Sequence, residues 1–145
     1  MPGDYDGDGR VDPAIFRPST GLWAVLKSST DYTTSFTKSL GLSTDVAVPG
    51  DYDGDGRVDP AIFRPSTGLW AVLKSSTSYT TSFTVPWGVS DVPAPADYDG
   101  DRKFDVVMFR PSTGQWFVLA SSVNFGDGFS VNWGLSTDRP INRRP

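Results

Sequence analysis

The hydrophobic positions of this chain fall into short runs separated by turn residues, and the same order of runs occurs three times. In the middle unit, Ala61–Arg64 and Leu69–Leu73 are apolar at consecutive positions, which predicts strands covered on both faces. Residues 80–85 alternate polar and apolar, which predicts an outer strand. Residues 45–50 form a short first strand, and the Pro-Ser-Thr-Gly turn at 65–68 is typical of a hairpin.

This unit is an internal repeat. Residues 2–37 recur as 49–84 with one difference, Asp31 against Ser78, and a diverged third copy begins its loop at Asp97. Such near-identity fits a recent duplication or an engineered sequence. Four strands in a repeat of about 45 residues predict β-propeller blades, with a β-solenoid as the weaker alternative. We therefore predict an all-β fold in which residues 1–145 form a single propeller segment of three four-stranded blades, at about 1–47, 48–93 and 94–145.

The composition removes several kinds of chemistry. There is no Cys and no His, so disulfides, thiolate nucleophiles and the usual general base are excluded. All 17 acidic residues are Asp. Because Asp favours turns and binds cations whereas Glu favours helices, this choice supports strands joined by tight turns. No group of residues suits a catalytic role, so we do not expect an enzyme.

The charge and hydropathy patterns also limit the partners. A formal charge of −4 with scattered Lys and Arg leaves no basic stripe for a phosphate backbone, so nucleic acid is not expected. No apolar run reaches the roughly 20 residues that cross a bilayer, and membrane insertion is not expected either. No charged and then apolar signal segment opens the sequence, so either the protein is cytosolic or a leader for export lies outside the sequence.

The candidate chemistry lies in an Asp-rich loop that each copy contains. In the first copy, carboxylates occupy loop positions 1, 3, 5 and 9 and a glycine occupies position 6. Side chains at alternate positions of a tight loop converge, and the carbonyl of position 7 supplies another oxygen. All-oxygen ligands in a flexible loop favour Ca²⁺ over Mg²⁺ or Zn²⁺. The predicted ligands of this first site are Asp4, Asp6, Asp8, Asp12 and the carbonyl of Arg10.

The other two loops repeat this set, for up to three calcium ions per chain. The second site comprises Asp51, Asp53, Asp55, Asp59 and the carbonyl of Arg57, and the third comprises Asp97, Asp99, Asp101, Asp105 and the carbonyl of Lys103. Arg102 stands where the other loops have glycine, so the third site is expected to be the weakest. The alternative is that these loops are solvated turns. Because calcium is abundant outside cells, a calcium-dependent protein is expected to be secreted.

These motifs resemble the FG-GAP or VCBS repeat family of calcium-loop propellers. The resemblance is carried by Pro-Gly-Asp-Tyr-Asp-Gly-Asp-Gly at Pro2 and Pro49, by the Phe-Arg-Pro-Ser-Thr-Gly turns, and by Trp-Gly at Trp87 and Trp133. It implies a loop between the first two strands of each blade and a structural calcium ion. It also implies a surface for adhesion or carbohydrate binding, in a family that usually builds seven blades.

Three blades cannot close a ring, because propellers usually have four to eight. Residues 138–142 align with 45–49 and 91–95, so the C-terminal stretch repeats the start of a first strand that the first unit lacks. We predict that this stretch completes the first blade of another copy, in a homo-oligomer. A dimer of six blades is favoured over a trimer of nine. The alternative is a piece of a longer propeller with a frayed tail.

Aromatic and arginine side chains complete the set of candidates. Trp23, Trp70 and Trp116 lie mid-strand and are expected to pack in the core, whereas Trp87 and Trp133 follow a strand and are the candidate ligand-binding residues. Arg17, Arg64 and Arg110 end the second strand of each copy and are expected to pair with an Asp or to cap loop carbonyls.

The sequence therefore predicts a calcium-binding propeller module that acts as a scaffold or a binding surface for a glycan or protein ligand and self-assembles into a ring. A lectin-like carbohydrate binder is the first alternative. A non-catalytic accessory fragment of a larger secreted protein is the second.

Overall fold

A computed structural model describes residues 2–89 and 91–141 of the chain. Within these residues the fold is all-β, with three small antiparallel sheets, three short 3-10 turns and no α-helix. Sheet 1 contains β1 (Ala14–Arg17), β2 (Leu22–Leu26) and β3 (Ser35–Ser39). Sheet 2 contains β4 (Val46–Ala47), β5 (Ala61–Arg64), β6 (Leu69–Leu73) and β7 (Ser82–Pro86). Sheet 3 contains β8 (Val92–Pro93), β9 (Val106–Arg110), β10 (Gln115–Leu119) and β11 (Gly128–Asn132).

The hairpin turns set the register of each sheet. In sheet 2 the turn pairs Arg64 with Leu69 and Phe63 with Trp70, whose rings lie 5.3 Å apart. Gly68 has a φ of +68°, and a Cβ there would lie 2.1 Å from the carbonyl oxygen of Gly88. Only glycine suits a position with both a left-handed backbone and so close a neighbour. The turn chemistry therefore aligns the aromatic residues of the second and third strands.

The predicted strands of the middle unit are largely confirmed. The bounds of β5 and β6 are those predicted, whereas the first strand is shorter than 45–50 and the fourth is shifted toward Pro86. Sheet 1 has three strands within the described residues rather than the four of a complete blade, which agrees with the first-strand start that the first unit lacks. The reason lies in the alignment, because Pro2 corresponds to Pro49, which follows β4.

Consecutive repeats interlock through their first strands. Val46–Ala47 lies at the end of the predicted unit 1–47 but pairs with β5 in sheet 2. Val92–Pro93 likewise lies at the end of 48–93 but pairs with β9 in sheet 3. Each of these two sheets therefore takes its first strand from the end of the preceding repeat. The predicted unit 94–145 runs into residues 142–145, which lie outside the described part of the chain, as does Asn142 of the aligned tail.

The core lies mainly around sheet 2. The largest cluster of buried side chains joins sheets 2 and 3 and includes Phe63, Trp70 and Met108. A smaller cluster joins sheets 1 and 2 through Trp23 and Ile62. Trp23 and Trp70 are thus core residues, as predicted, whereas Trp116, for which the same was predicted, is only partly buried. No helix among the described residues has the length and apolar character needed to cross a membrane.

Candidate metal centres

The Asp-rich loops of sheets 2 and 3 connect the first and second strands, and the first copy has the same loop before β1. An isolated antiparallel bridge closes the mouth of each loop, for example between Gly50 and Asp59. The loop backbone then turns back on itself, and Asp51 accepts hydrogen bonds from the backbone N–H groups of Gly54 at 2.6 Å and Gly56 at 2.9 Å. The bridge and these hydrogen bonds thus hold the aspartates of the loop in a small volume.

Each loop brings three carboxylates together. In every group, one oxygen from each residue lies within 4.8 Å of the other two, a spacing at which one cation can contact all three. The groups are Asp4, Asp6 and Asp8; Asp51, Asp53 and Asp59; and Asp97, Asp99 and Asp101. The carbonyl oxygens of Arg10, Arg57 and Lys103 accept no hydrogen bond among the described residues, which leaves them available as further ligands.

A buried carboxylate oxygen in two of the loops has no hydrogen-bond partner within the described chain. These atoms are Asp6 Oδ1 and Asp53 Oδ1. The other oxygen of Asp53 is well occupied, since the Ser76 hydroxyl donates to it at 2.6 Å. Leaving a charged acceptor buried without a donor or a cation costs free energy. The first two loops therefore each contain a buried acceptor without a donor, which is the kind of group that a hard cation binds.

The ninth loop position has a second role that its type alone does not reveal. Asp59 is fully buried, and its carboxylate accepts the backbone N–H groups of Tyr52 at 2.9 Å and Ser75 at 2.6 Å. Burial raises the pKa of Asp59 to about 6. Asp12 accepts the corresponding N–H groups of Tyr5 and Ser28. These aspartates anchor the loop backbone to the turn that follows the third strand.

An arginine is paired with the fifth loop position in the first two loops. Arg57 Nη2 lies 2.6 Å from Asp55 Oδ2, and Arg10 Nε lies 3.0 Å from Asp8 Oδ2. Burial raises the pKa of Asp55, but the N–H groups of Arg57 and the Ser75 hydroxyl outweigh it, and the pKa lies below its usual value. The fifth position is therefore ionised and already partly neutralised.

The third loop differs at its sixth position, as the sequence predicted. Arg102 has a φ of +72°, where Gly9 and Gly56 have +82° and +83°. A side chain with a left-handed backbone is strained, and here the side chain is also cationic. In this loop the backbone N–H of Asp101 donates to Asp99 Oδ1 at 3.1 Å, so the oxygen that is vacant in the other loops is occupied.

The sequence analysis did not identify the pair of serines whose hydroxyls donate hydrogen bonds to the aspartates of each loop. Ser75 and Ser76 lie on the 3-10 turn after β6, and their hydroxyls donate to Asp55 at 2.8 Å and Asp53 at 2.6 Å. The same two contacts recur at Ser28 and Ser29 and at Ser121 and Ser122. The signal was present, because a Ser-Ser pair follows the third strand in every copy.

The two candidate ligand-binding tryptophans have different surroundings. Trp87 is partly buried against the cluster between sheets 2 and 3, and its Nε1 is buried without a partner among the described residues. Trp133 is 77% exposed and lines a cleft with Phe109, Trp116 and Asp138. The structure does not bring these two tryptophans into one site.

The predicted arginine pairs form in two of the three sheets. Arg64 Nη2 lies 2.8 Å from Asp45 Oδ2, and Arg110 Nη2 lies 2.9 Å from Asp91 Oδ2. The Arg17 guanidinium has neither an ion pair nor a hydrogen bond within the described residues.

Comparisons with protein-family models, with curated proteins and with solved structures found no match.

Proposed function

We propose that the protein is a calcium-binding β-propeller module, secreted, that acts as a scaffold or binding surface. Three successive antiparallel sheets with the same turn chemistry support the blade architecture. In this reading the calcium ions brace the loop between the first two strands of a blade. We assign them a structural role, because the same carboxylates also bind the backbone N–H groups and serine hydroxyls that hold each loop together.

The observation that carries the metal assignment is the vacant oxygen of Asp53 and its counterpart on Asp6. In a solvated turn, water reaches the carboxylate oxygens. A buried carboxylate oxygen without a donor therefore argues against that alternative. Each vacant oxygen belongs to a group of three carboxylates within 4.8 Å. Oxygen ligands favour a hard cation, and a site built largely from protein oxygens favours Ca²⁺ over the smaller Mg²⁺, which retains several of its waters.

Calorimetric titration of chelator-treated protein with Ca²⁺ tests this proposal. We expect two tighter sites, from the loops that have glycine at the sixth position, and a weaker third. Binding to the folded state alone also stabilises it, by about 2.7 kcal/mol for one site at a calcium concentration 100 times its Kd. Calcium is therefore expected to raise the melting temperature, and Mg²⁺ at the same concentration is expected to raise it less.

A double variant locates the sites. Asp6→Asn with Asp53→Asn retains the shape of the side chains but removes the negative charge of the two carboxylates that contain the unpaired oxygens. It should abolish the two tighter binding events. Asp31→Ser is the matched control, because Ser78 already occupies the equivalent position of the second copy. An unchanged titration in the double variant, or no heat of calcium binding in the parent protein, would contradict the assignment of these loops as calcium sites.

A carbohydrate-binding role is the second candidate, and the exposure of Trp133 is the observation that favours it. An exposed indole face beside Phe109 and Trp116 can stack on a sugar ring. A glycan array with the parent protein and Trp133→Ala tests this role. Specific binding that is lost in the variant supports a lectin, and the absence of any bound glycan argues against one.

A further inference from the structure

We infer that two copies of this chain associate head to tail, with the outer face of sheet 3 in one copy packed on the outer face of sheet 1 in the other. This inference rests on the proposed blade architecture but not on the metal. The chain already forms the same kind of interface twice within itself, between sheets 1 and 2 and between sheets 2 and 3. The outer faces of sheets 1 and 3 have the matching residues but no neighbouring sheet among the described residues.

The first repeated contact is a backbone hydrogen bond between neighbouring loops. Val58 N donates to the carbonyl of Asp4 at 2.7 Å, and Phe104 N donates to the carbonyl of Asp51 at 2.6 Å. The next bond in this series joins Val11 N to the carbonyl of Asp97. Neither atom has a hydrogen-bond partner in the described part of the chain. One face thus presents the donor and the other presents the acceptor.

The second repeated contact is a stacked aromatic pair. Phe36 lies on Tyr79 with ring centroids 5.1 Å apart, and Phe83 lies on Phe125 at 5.5 Å. The next pair in this series is Phe129 on Tyr32. These two side chains are 45% and 47% exposed, and they belong to sheet 3 and to the loop between β2 and β3 of sheet 1. Aromatic pairs stabilise an interface beyond their buried area.

Aliphatic positions show the same difference between inner and outer faces. Ile62 of sheet 2 is 1% exposed, whereas Ile15 at the equivalent place in sheet 1 is 53% exposed. Val85 is buried, whereas its counterpart Val131 in sheet 3 is exposed. An identical strand sequence is therefore covered in one sheet and bare in the other. A second copy supplies the missing cover with side chains of the same type.

Charge complementarity identifies the occupant of the free sheet edge. Asp45 and Asp91 lie just before β4 and β8 and pair with Arg64 and Arg110 of the same sheets. Asp138 is the third member of this series and adopts the same local turn, since Leu135 N donates to it at 2.8 Å. In the other two sheets the partner is an arginine at the end of a second strand, and Asp138 has no such partner among the described residues.

Arg17 occupies that position in sheet 1, which has no first strand in the part of the chain that the structure describes. The pairing of Val46 with Phe63 and of Val92 with Phe109 places Arg139 opposite Phe16 in the assembled pair. Residues 139–141 then add a strand to the free edge of β1, next to an Arg17–Asp138 ion pair. Two copies that exchange this strand reciprocally form a closed ring of six sheets, within the usual size of a propeller.

The test is the mass of the full chain by light scattering over a range of protein concentrations. We expect twice the 15.7 kDa of a single chain. Arg17→Asp and Asp138→Arg should each reduce the mass to that of one chain at a concentration where the parent is paired. The double variant, in which the charges are exchanged, should restore the pair. Restoration is the result that a general loss of folding does not produce.

A second pair of variants covers the apolar part of the interface. Phe129→Ser should also yield single chains, whereas Leu42→Ser should not, because Leu42 is exposed in the linker between sheets 1 and 2, which already pack on each other within the chain. A single-chain mass of the parent at every concentration, a discrete mass other than two chains, or paired Arg17→Asp protein would overturn the inference. Calcium titration of the same variants separates the two proposals, since all these substitutions lie outside the Asp-rich loops.

Discussion

Arg64 and Asp45 form a two-point ion pair in which Nε and Nη2 of the arginine each lie 2.8 Å from one oxygen of the carboxylate. The Asp45 side chain is fully buried, and Leu42 N donates to it as well. The pair joins the linker before β4 to the end of β5. It therefore fixes the position of β4, the strand that the first repeat contributes to sheet 2.

Asp45→Asn should cost about 3 kcal/mol at neutral pH, because it leaves a guanidinium without its partner. The hydrogen bonds from Arg64 hold the pKa of Asp45 below its usual value. A depressed pKa in the folded state contributes stability above the unfolded pKa of roughly 4, and this contribution is lost as the pH falls through the folded pKa. Denaturant unfolding at pH 7 and at pH 3 checks this, and the difference between parent and variant should shrink at the lower pH.

The control for this experiment is Asp31→Ser, which removes an exposed carboxylate. Its unfolding free energy should track the parent at both pH values. A constant difference between parent and Asp45→Asn from pH 7 to pH 3 would show that the carboxylate does not act through its charge.

Asp59→Asn should destabilise the protein even when calcium is removed. The two oxygens of Asp59 accept backbone N–H groups from Tyr52 and Ser75, and an amide nitrogen cannot accept either bond. Leaving a buried N–H without an acceptor costs about 2 kcal/mol. The measurement is the unfolding free energy in excess chelator. An effect that appears only when calcium is present would assign Asp59 to metal binding alone.

Ser75→Ala should weaken the closure of the second loop. The variant loses the hydroxyl that donates to Asp55 but retains the backbone bond to Asp59, so we expect a loss of about 1 kcal/mol. Ser66→Ala is a suitable comparison, because Ser66 lies exposed in the hairpin turn. Equal melting temperatures for the two variants would show that the Ser75 hydroxyl does not stabilise the loop.

Arg102→Gly should stabilise the protein by about 1 kcal/mol, because it relieves a left-handed backbone at a residue that has a side chain. It also removes a cation from the third loop, so the weakest calcium site should tighten. Gly56→Ala is the reverse experiment. A Cβ at Gly56 has no neighbour within 4 Å, so its expected loss of about 1 kcal/mol reports backbone strain alone. Thermal melts and calcium titrations of both variants check these expectations.

Local information in the chain was enough to predict the repeat, the all-β class and the bounds of β5 and β6, because hydrophobic spacing and turn residues act over a few positions. It also predicted the Asp-rich loops and the strained backbone at Arg102. It did not predict the contacts of the serines with the loops, since Ser76 and Asp53 are 23 residues apart.

The sequence by itself determined which residues are alike in the three copies, and the tertiary structure decided how their environments differ. Ile15 and Ile62 lie in identical strand sequences, yet one is bare and the other is covered. Arg17 and Arg64 end those strands, yet only Arg64 meets an aspartate within the described residues. The physical reason is that burial and ion pairing depend on which sheet lies next to a residue. The neighbouring sheet differs between the copies even where their sequences are identical.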